Sequence, residues 1–258
     1  MANASNTERF SDRVENYVRY RPTYPEAVLR HLREHAGLNA NAFVADIGSG
    51  TGIFSRLLLP ECARVYAVEP NAAMRGAAEN ASRDNPKFVS VARPAESTGL
   101  PDRSVDLITA AQAFHWFDIA ACQREFTRIL KPGGKIAIIW NERLVNASPL
   151  LRDYEELLKR HATDYEKVNH ATNDVSKVRA FFGDRPFSTV EFPNEQRFDE
   201  AGFRGRFLSS SYAPNVGHPG YEAADQALRE CFRRHQREGS IAFLYTTKVY
   251  VGSAPLDA

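Results

Sequence analysis

Val44-Ala45-Asp46-Ile47-Gly48-Ser49-Gly50-Thr51-Gly52 decides how this chain is read. An apolar strand, Phe43 to Ile47, runs into three glycines spaced two apart, and a helix is predicted from near Ile53. Glycine lets the main chain turn tightly and lets a ligand lie against bare backbone, where a side chain would collide. The dinucleotide fingerprint Gly-x-Gly-x-x-Gly places its last glycine one residue later, and position 53 is Ile here, so that form is not met. A second strand, Arg64 to Val68, ends in Glu69, which lies 21 residues beyond Gly48. That is the separation at which an acid on the next strand tip reaches a ribose diol. A carboxylate can accept a hydrogen bond from each vicinal hydroxyl.

Outward from this stretch, strands and helices alternate from residue 42 to 140, which argues a parallel sheet covered on both faces. The remaining strands read as Lys87–Ala92, Val105–Ala110 and Lys135–Trp140, short and rich in branched residues. Between the last two, Ile119, Cys122, Phe126, Ile129 and Leu130 form one helical face. Asp118 is placed to cap that helix, and Lys131-Pro132-Gly133-Gly134 to end it.

Upstream, residues 1 to 8 read as a loose tail, and Phe10, Val14, Tyr17 and Val18 make the stripe of an amphipathic helix. Tyr20 to Pro25 breaks it, since proline disfavours helix in the residue before it, and Pro25 can open the next helix. Downstream, residues 148 to 182, 199 to 209 and 221 to 236 read as helical, with strands at Ser188–Phe192 and Ala242–Val251. Some 49 residues separate those two strands, too many for a hairpin loop, so the segment between them is read as a helical insertion over the substrate side.

A net charge of +1 over 258 residues gives no basic footprint for nucleic acid. Cys62, Cys122 and Cys231 are far apart and odd in number, which matches neither a metal site nor a disulfide framework and fits a reducing compartment. Cys122, on the apolar side of its helix, is expected in the core. With no apolar signal stretch and no run of about eighteen apolar residues, a cytoplasmic location and no membrane span are expected.

Four motifs in order carry a family resemblance: VADIGSGTG (44–52), VYAVEPN (65–71), RPAES with LPDRSVDLITAAQAFHWFD (93–97 and 100–118), and ILKPGGKIAIIW (129–140). The chain resembles a class I S-adenosylmethionine-dependent methyltransferase of the small-molecule, type 11-like branch. YRPTYPEAV (20–28) and SSSYAP (209–214) are similar to one bacterial group within it. The resemblance implies an α/β, doubly wound, mostly parallel seven-stranded sheet, Rossmann-like, with an antiparallel last strand and helical insertions. It implies one domain over 1–258: an N-terminal helical cover (1–36), a cofactor core (40–141), substrate-cap segments (142–187 and 197–240), and edge strands (188–193 and 242–252).

By the same resemblance, S-adenosyl-L-methionine is the cofactor. Asp46 and the backbone of Gly48, Ser49, Gly50 and Gly52 would hold its methionine part, and Glu69 its ribose. Pro70 and Met74 would border the adenine, Ala95 and Glu96 would address its edge, and Arg21 would pair with the carboxylate. Pro94 stands where many members carry an acid.

The loop Gln112 to Asp118 leaves the carboxyl end of a strand, where ligands of open α/β sheets bind. Gln112 is therefore set with the cofactor residues. His115 is a candidate base, since imidazole titrates near neutrality; the plainer reading is a packed structural histidine. Tyr17, Tyr20, Phe114, His115, Trp116, Ser211 and Tyr212 are expected to line the acceptor pocket. For Ser211 and Tyr212 the plainer reading is helix termination, and for the tyrosines of the N-terminal segment simple packing. Arg143, Arg204 and Arg206 are candidates for recognising an anionic substrate, although charges on such segments commonly face water.

The function expected is methyl transfer to a small-molecule acceptor by in-line displacement. A non-catalytic module that binds the same cofactor and a nicotinamide-dependent oxidoreductase are the rivals. No nucleic-acid or metal partner is expected, and the sequence carries no signal of oligomeric state.

Overall fold

The structure is a computed structural model that describes residues 14–163, 165 and 175–254. Phe10, the tail over residues 1 to 8, and part of the helical reading over 148–182 lie outside them.

β1 (Phe43–Ile47) pairs in parallel with β2 (Arg64–Val68) and with β4 (Val105–Ala111), and β2 pairs in parallel with β3 (Phe88–Val91). β5 (Leu130–Arg143) continues the parallel set beside β4. β7 (Ile241–Ser253) lies antiparallel between β5 and β6 (Phe187–Phe198), giving seven strands in the order β3-β2-β1-β4-β5-β7-β6. Thus β6 takes the edge and β7 sits one place in.

Side chains alternate across the sheet with the two-residue period of a strand. In β5, Ile136, Ile138 and Trp140 join one core with Phe126 of α5 (Ile119–Ile129) and Phe181 of α7 (Val175–Phe182). Ala137 and Ile139 join the other core with Val28 and Leu32 of α2 (Glu26–His35) and Phe54 and Leu58 of α3 (Ile53–Leu58). A third core lies under the insertions. There Tyr154 of α6 (Pro149–His161), Phe203 of α8 (Glu200–Leu208) and Leu228 of α9 (Tyr221–His235) pack on Phe243 of β7.

Two elements differ from the sequence reading. Leu130, expected on the α5 face, is the first residue of β5, because α5 stops at Ile129. The pairing then jumps from Val105–Leu130 to Leu107–Lys135, so Lys131-Pro132-Gly133-Gly134 forms an irregularity inside the ladder. β6 also runs to Phe198, well past Phe192. Asp118 caps α5 as expected, its carboxylate accepting from Ala121 N at 3.0 Å. Cys122 is fully buried.

Candidate active site

The carboxyl ends of β1, β2 and β4 meet at one cleft. Asp46, 1 % exposed, accepts from Ser55 Oγ of α3 at 2.5 Å and from Thr109 Oγ1 of β4 at 2.8 Å. Burial nevertheless pushes its carboxyl up to about 6, against the two hydroxyls that favour the ionised form. Beyond Asp46, Gly48, Gly50 and Gly52 all take left-handed backbone (φ 68°, 57° and 74°). A Cβ on Gly48 would stand 2.4 Å from that of Ala113, so glycine is what lets the β4 loop close on the turn.

Glu69, nearly buried, accepts from Gly50 N at 2.9 Å and Asn71 N at 2.8 Å. One carboxylate thus joins the glycine turn to the start of α4 (Ala72–Ala81). Burial raises its pKa, opposed by those two amides. Each oxygen keeps a lone pair for a further donor.

α1 (Val14–Tyr20) roofs the cleft, and the segment after it brings Arg21 and Tyr24 to the wall. The lining comprises Tyr17, Arg21, Tyr24, Asp46, the turn from Gly48 to Thr51, and Gln112. Three polar atoms there are buried without a hydrogen-bond partner: Arg21 Nε, Ser49 Oγ and Thr51 Oγ1. Gln112 sits at φ 58°, unusual for a residue with a side chain, and its Nε2 donates to the Asn141 carbonyl at 3.1 Å. Buried polar atoms are normally satisfied and backbone strain gathers at functional sites, so the cleft is shaped for a polar ligand.

A family model described as a methyltransferase domain matches residues 45–138, which hold Asp46, the glycine turn and Gln112 of this cleft but not Tyr17, Arg21 or Tyr24. Residues 45–138 therefore carry the likeness to a class I S-adenosylmethionine-dependent methyltransferase domain. An uncharacterized methyltransferase of Mycobacterium bovis is 36% identical over 134 residues, 52% of this chain and 52% of that protein. An uncharacterized methyltransferase-like protein of Schizosaccharomyces pombe is 29% identical over 64% of this chain and 63% of its own length. The chain is therefore aligned with little more than half the length of these relatives. A solved structure from Anaeromyxobacter dehalogenans, provisionally assigned as a type II methyltransferase, superposes with a TM-score of 0.66 at 26% identity. It covers 92% of this chain and 100% of that one.

The side chains and turn at this cleft are of the chemical kinds that the methionine and ribose ends of S-adenosylmethionine need. The three unsatisfied polar atoms, the glycine turn and Glu69 are where hydroxyl, amine and carboxylate groups need partners. Of the residues expected to border the adenine, Met74 is buried, its Cε 3.4 Å from where a Gly50 Cβ would lie, and Pro70 is exposed. Ala95 is buried, whereas Glu96 accepts from Asp118 N at 3.1 Å and so ties the β3 and β4 loops together.

The expected acceptor-side residues divide. Phe114 is not at the pocket: it is fully buried, with Phe117, Trp140 and Phe181 rings against it edge to face. Its neighbour His115 is half-buried beside Trp116, ring centroids 4.6 Å apart, with Nδ1 buried and unpartnered. Burial first, then the Lys177 and Arg21 charges, press its pKa down to about 4. Tyr17 lines the cleft, while the Tyr20 ring lies against Gly205 of α8. Tyr212 is half-buried, its ring 5.0 Å from Tyr165; Ser211 is half-buried beside it. The Ser209 hydroxyl closes α8 on the Arg206 carbonyl at 2.7 Å. Arg204 is ion-paired with Asp225.

Sequence reasoning passes over Ser55, Thr109 and Asn141. Thr109 and Ser55 hold Asp46, and Asn141 accepts from Thr247 Oγ1 at 2.5 Å and Asn194 Nδ2 at 3.0 Å. The available signal was a small polar residue inside an apolar strand or helix face, which must find a buried partner.

Proposed function

We propose that the protein methylates a small-molecule acceptor from S-adenosylmethionine bound in this cleft. One observation carries the reading: Asp46, the glycine turn, Arg21 and Gln112 converge on one space that leaves buried polar atoms unpartnered, with Glu69 bonded to the turn at Gly50 N. When bound, the cofactor supplies a methyl on cationic sulfur, which leaves as a neutral thioether once an acceptor lone pair takes the carbon.

The residues then have to hold and align. Glu69 accepts from the ribose hydroxyls, and Asp46 anchors the methionine end through the turn from Gly48 to Gly52. Arg21 offers its Nε to the carboxylate, and Met74, Pro70, Ala95 and Glu96 border the adenine. Holding donor and nucleophile in contact supplies several kcal/mol of the barrier, about 7–11 in well-oriented cases. His115, neutral at pH 7, is the candidate base for an acceptor that still carries a proton. The roof of α1 and the insertions favour a small acceptor over a polymer. A cytoplasmic location belongs to this proposal and is supported by three free cysteines. Among the described residues no helix is long and apolar enough to cross a membrane.

Thermal unfolding with S-adenosylmethionine, S-adenosylhomocysteine and NADH tests the reading. The two sulfur compounds are expected to raise the midpoint, by about 2.7 kcal/mol at a hundredfold excess over the dissociation constant. Glu69→Ala should remove most of that shift. A shift with NADH alone, or none with either sulfur compound, would sink the proposal.

A further inference from the structure

Beyond Arg21 the cleft wall continues into a cluster of cations and phenols that cofactor binding does not use. Arg206 of α8 is 8 % exposed; its Nε donates to Tyr245 Oη at 3.3 Å and its Nη1 to Ser210 Oγ at 3.2 Å. Arg21 Nη2 donates to the Ser209 carbonyl at 2.9 Å. Among the described residues neither guanidinium forms an ion pair. Arg143, at the end of β5, bonds Glu155 and, at 3.0 Å, Tyr165 Oη, yet its Nη1 is buried without a partner. It lies 4.9 Å over the ring of Tyr154, which is 2 % exposed and whose hydroxyl is also buried and unpartnered.

These groups form one neighbourhood. Arg143 bonds Tyr165, whose ring lies 5.0 Å from that of Tyr212; Arg206 bonds Tyr245 of the same core as Tyr154 and Tyr165; and Arg21 bonds the Ser209 carbonyl that closes α8 behind Arg206. Arginine does not give up its proton in proteins. Three fixed positive charges therefore face one carboxylate, Glu155. A buried excess of charge is costly unless something compensates it. The unsatisfied atoms agree in kind, since Arg21 Nε, Arg143 Nη1 and Tyr154 Oη are all hydrogen donors without an acceptor. With Arg21 given to the cofactor carboxylate, a second anion is still wanted.

We infer that the acceptor is a small organic anion, its carboxylate or phosphate held by Arg206, Arg143 and the Tyr154 hydroxyl beneath α6 and α8. The geometry suits it, because guanidinium groups grip carboxylates and phosphates through paired, charge-assisted hydrogen bonds. This rests on the methyltransferase reading, whose cofactor would lie on the other side of Arg21. An acceptor already ionised at the reacting oxygen needs no base.

The test is calorimetric titration of the full chain with small di- and tricarboxylates, a phosphate monoester, and the neutral amides of the same acids. Each is run with and without saturating S-adenosylhomocysteine. At least one anion should bind the S-adenosylhomocysteine complex, with its amide at least tenfold weaker; carboxylate against phosphate identifies the source. Arg206→Met should weaken that anion roughly ten- to hundredfold and leave S-adenosylhomocysteine affinity within about twofold. Tyr154→Phe, which removes only an unpartnered hydroxyl, should hold or raise the melting temperature while weakening the anion severalfold.

Amides that bind as tightly as acids would overturn the inference. So would variants that bind the anion like the wild type, or an absence of any anion binding to protein that takes up S-adenosylhomocysteine. Arg206-dependent anion binding without any S-adenosylhomocysteine binding would instead keep the receptor and sink the methyltransferase reading.

Discussion

At Asp46, burial and two hydroxyl partners act in opposite directions, and burial wins. Its folded value of about 6 stands above that of an unfolded aspartate, about 4. Folding therefore takes up a proton between those values. The contribution favours the folded state fully below about pH 4 and is lost as pH rises through 6. Asp46→Asn removes this dependence. Wild-type stability minus variant stability, from urea unfolding, should fall by roughly 2 kcal/mol between pH 4 and 7. A flat difference would mean that the site carries no such penalty.

His115 presents the reverse case, held neutral by burial with its pKa near 4. It is a weak base across the working range, and an anionic acceptor asks for none. His115→Gln should keep turnover within about tenfold with an unchanged pH profile between 6 and 9; a loss of 10² or more would mark general-base catalysis.

Between elements, the tightest dependence is that of α1 on α8. A Cβ on Gly205 would fall 2.0 Å from Tyr20 Cε2, inside the ring's own space. Alanine there must expel Tyr20 and loosen the segment that carries Arg21. In a helix it also gains about 1 kcal/mol over glycine, and α1 has no buried residue to lose. Gly205→Ala should therefore hold or raise the melting temperature while S-adenosylhomocysteine affinity drops roughly tenfold, the worth of one charged hydrogen bond. Unchanged affinity would show that Tyr20 does not position Arg21.

Elements were legible where they were apolar. Phe43–Ile47 and Arg64–Val68 emerge with the bounds that their sequence suggests, since strands covered on both faces are unbroken apolar runs. β6 was half hidden: Glu195 and Arg197 lie beyond the strand read at Ser188–Phe192, yet charge and proline, here Pro193, are what an edge strand tolerates. β5 was cut short because Pro132 and two glycines look like punctuation, and the ladder absorbs them as an irregularity.

For the molecule as a whole, the proposed cofactor half is suggested by local spacing and the proposed acceptor half is not. Glycines, Asp46 and Glu69 lie within one βαβ stretch, so distance along the chain stands for distance in space. Arg143, Arg206 and Tyr154 come from three elements far apart in sequence that only the tertiary fold brings together. Nothing local distinguishes them from arginines that face water, and only the packing shows that Arg206 does not. The docking of α1 has the same long reach, since its connections to Ser209 and Gln196 span 188 and 176 residues. On the ribosome, at about 5–20 residues per second, that gap amounts to roughly ten to forty seconds. During that interval the glycine turn and Glu69 have already emerged, while the wall that Arg21 shares with α8 cannot yet exist. A nascent chain thus offers its cofactor side first as an open shelf, and the wall closes it only once α8 has followed.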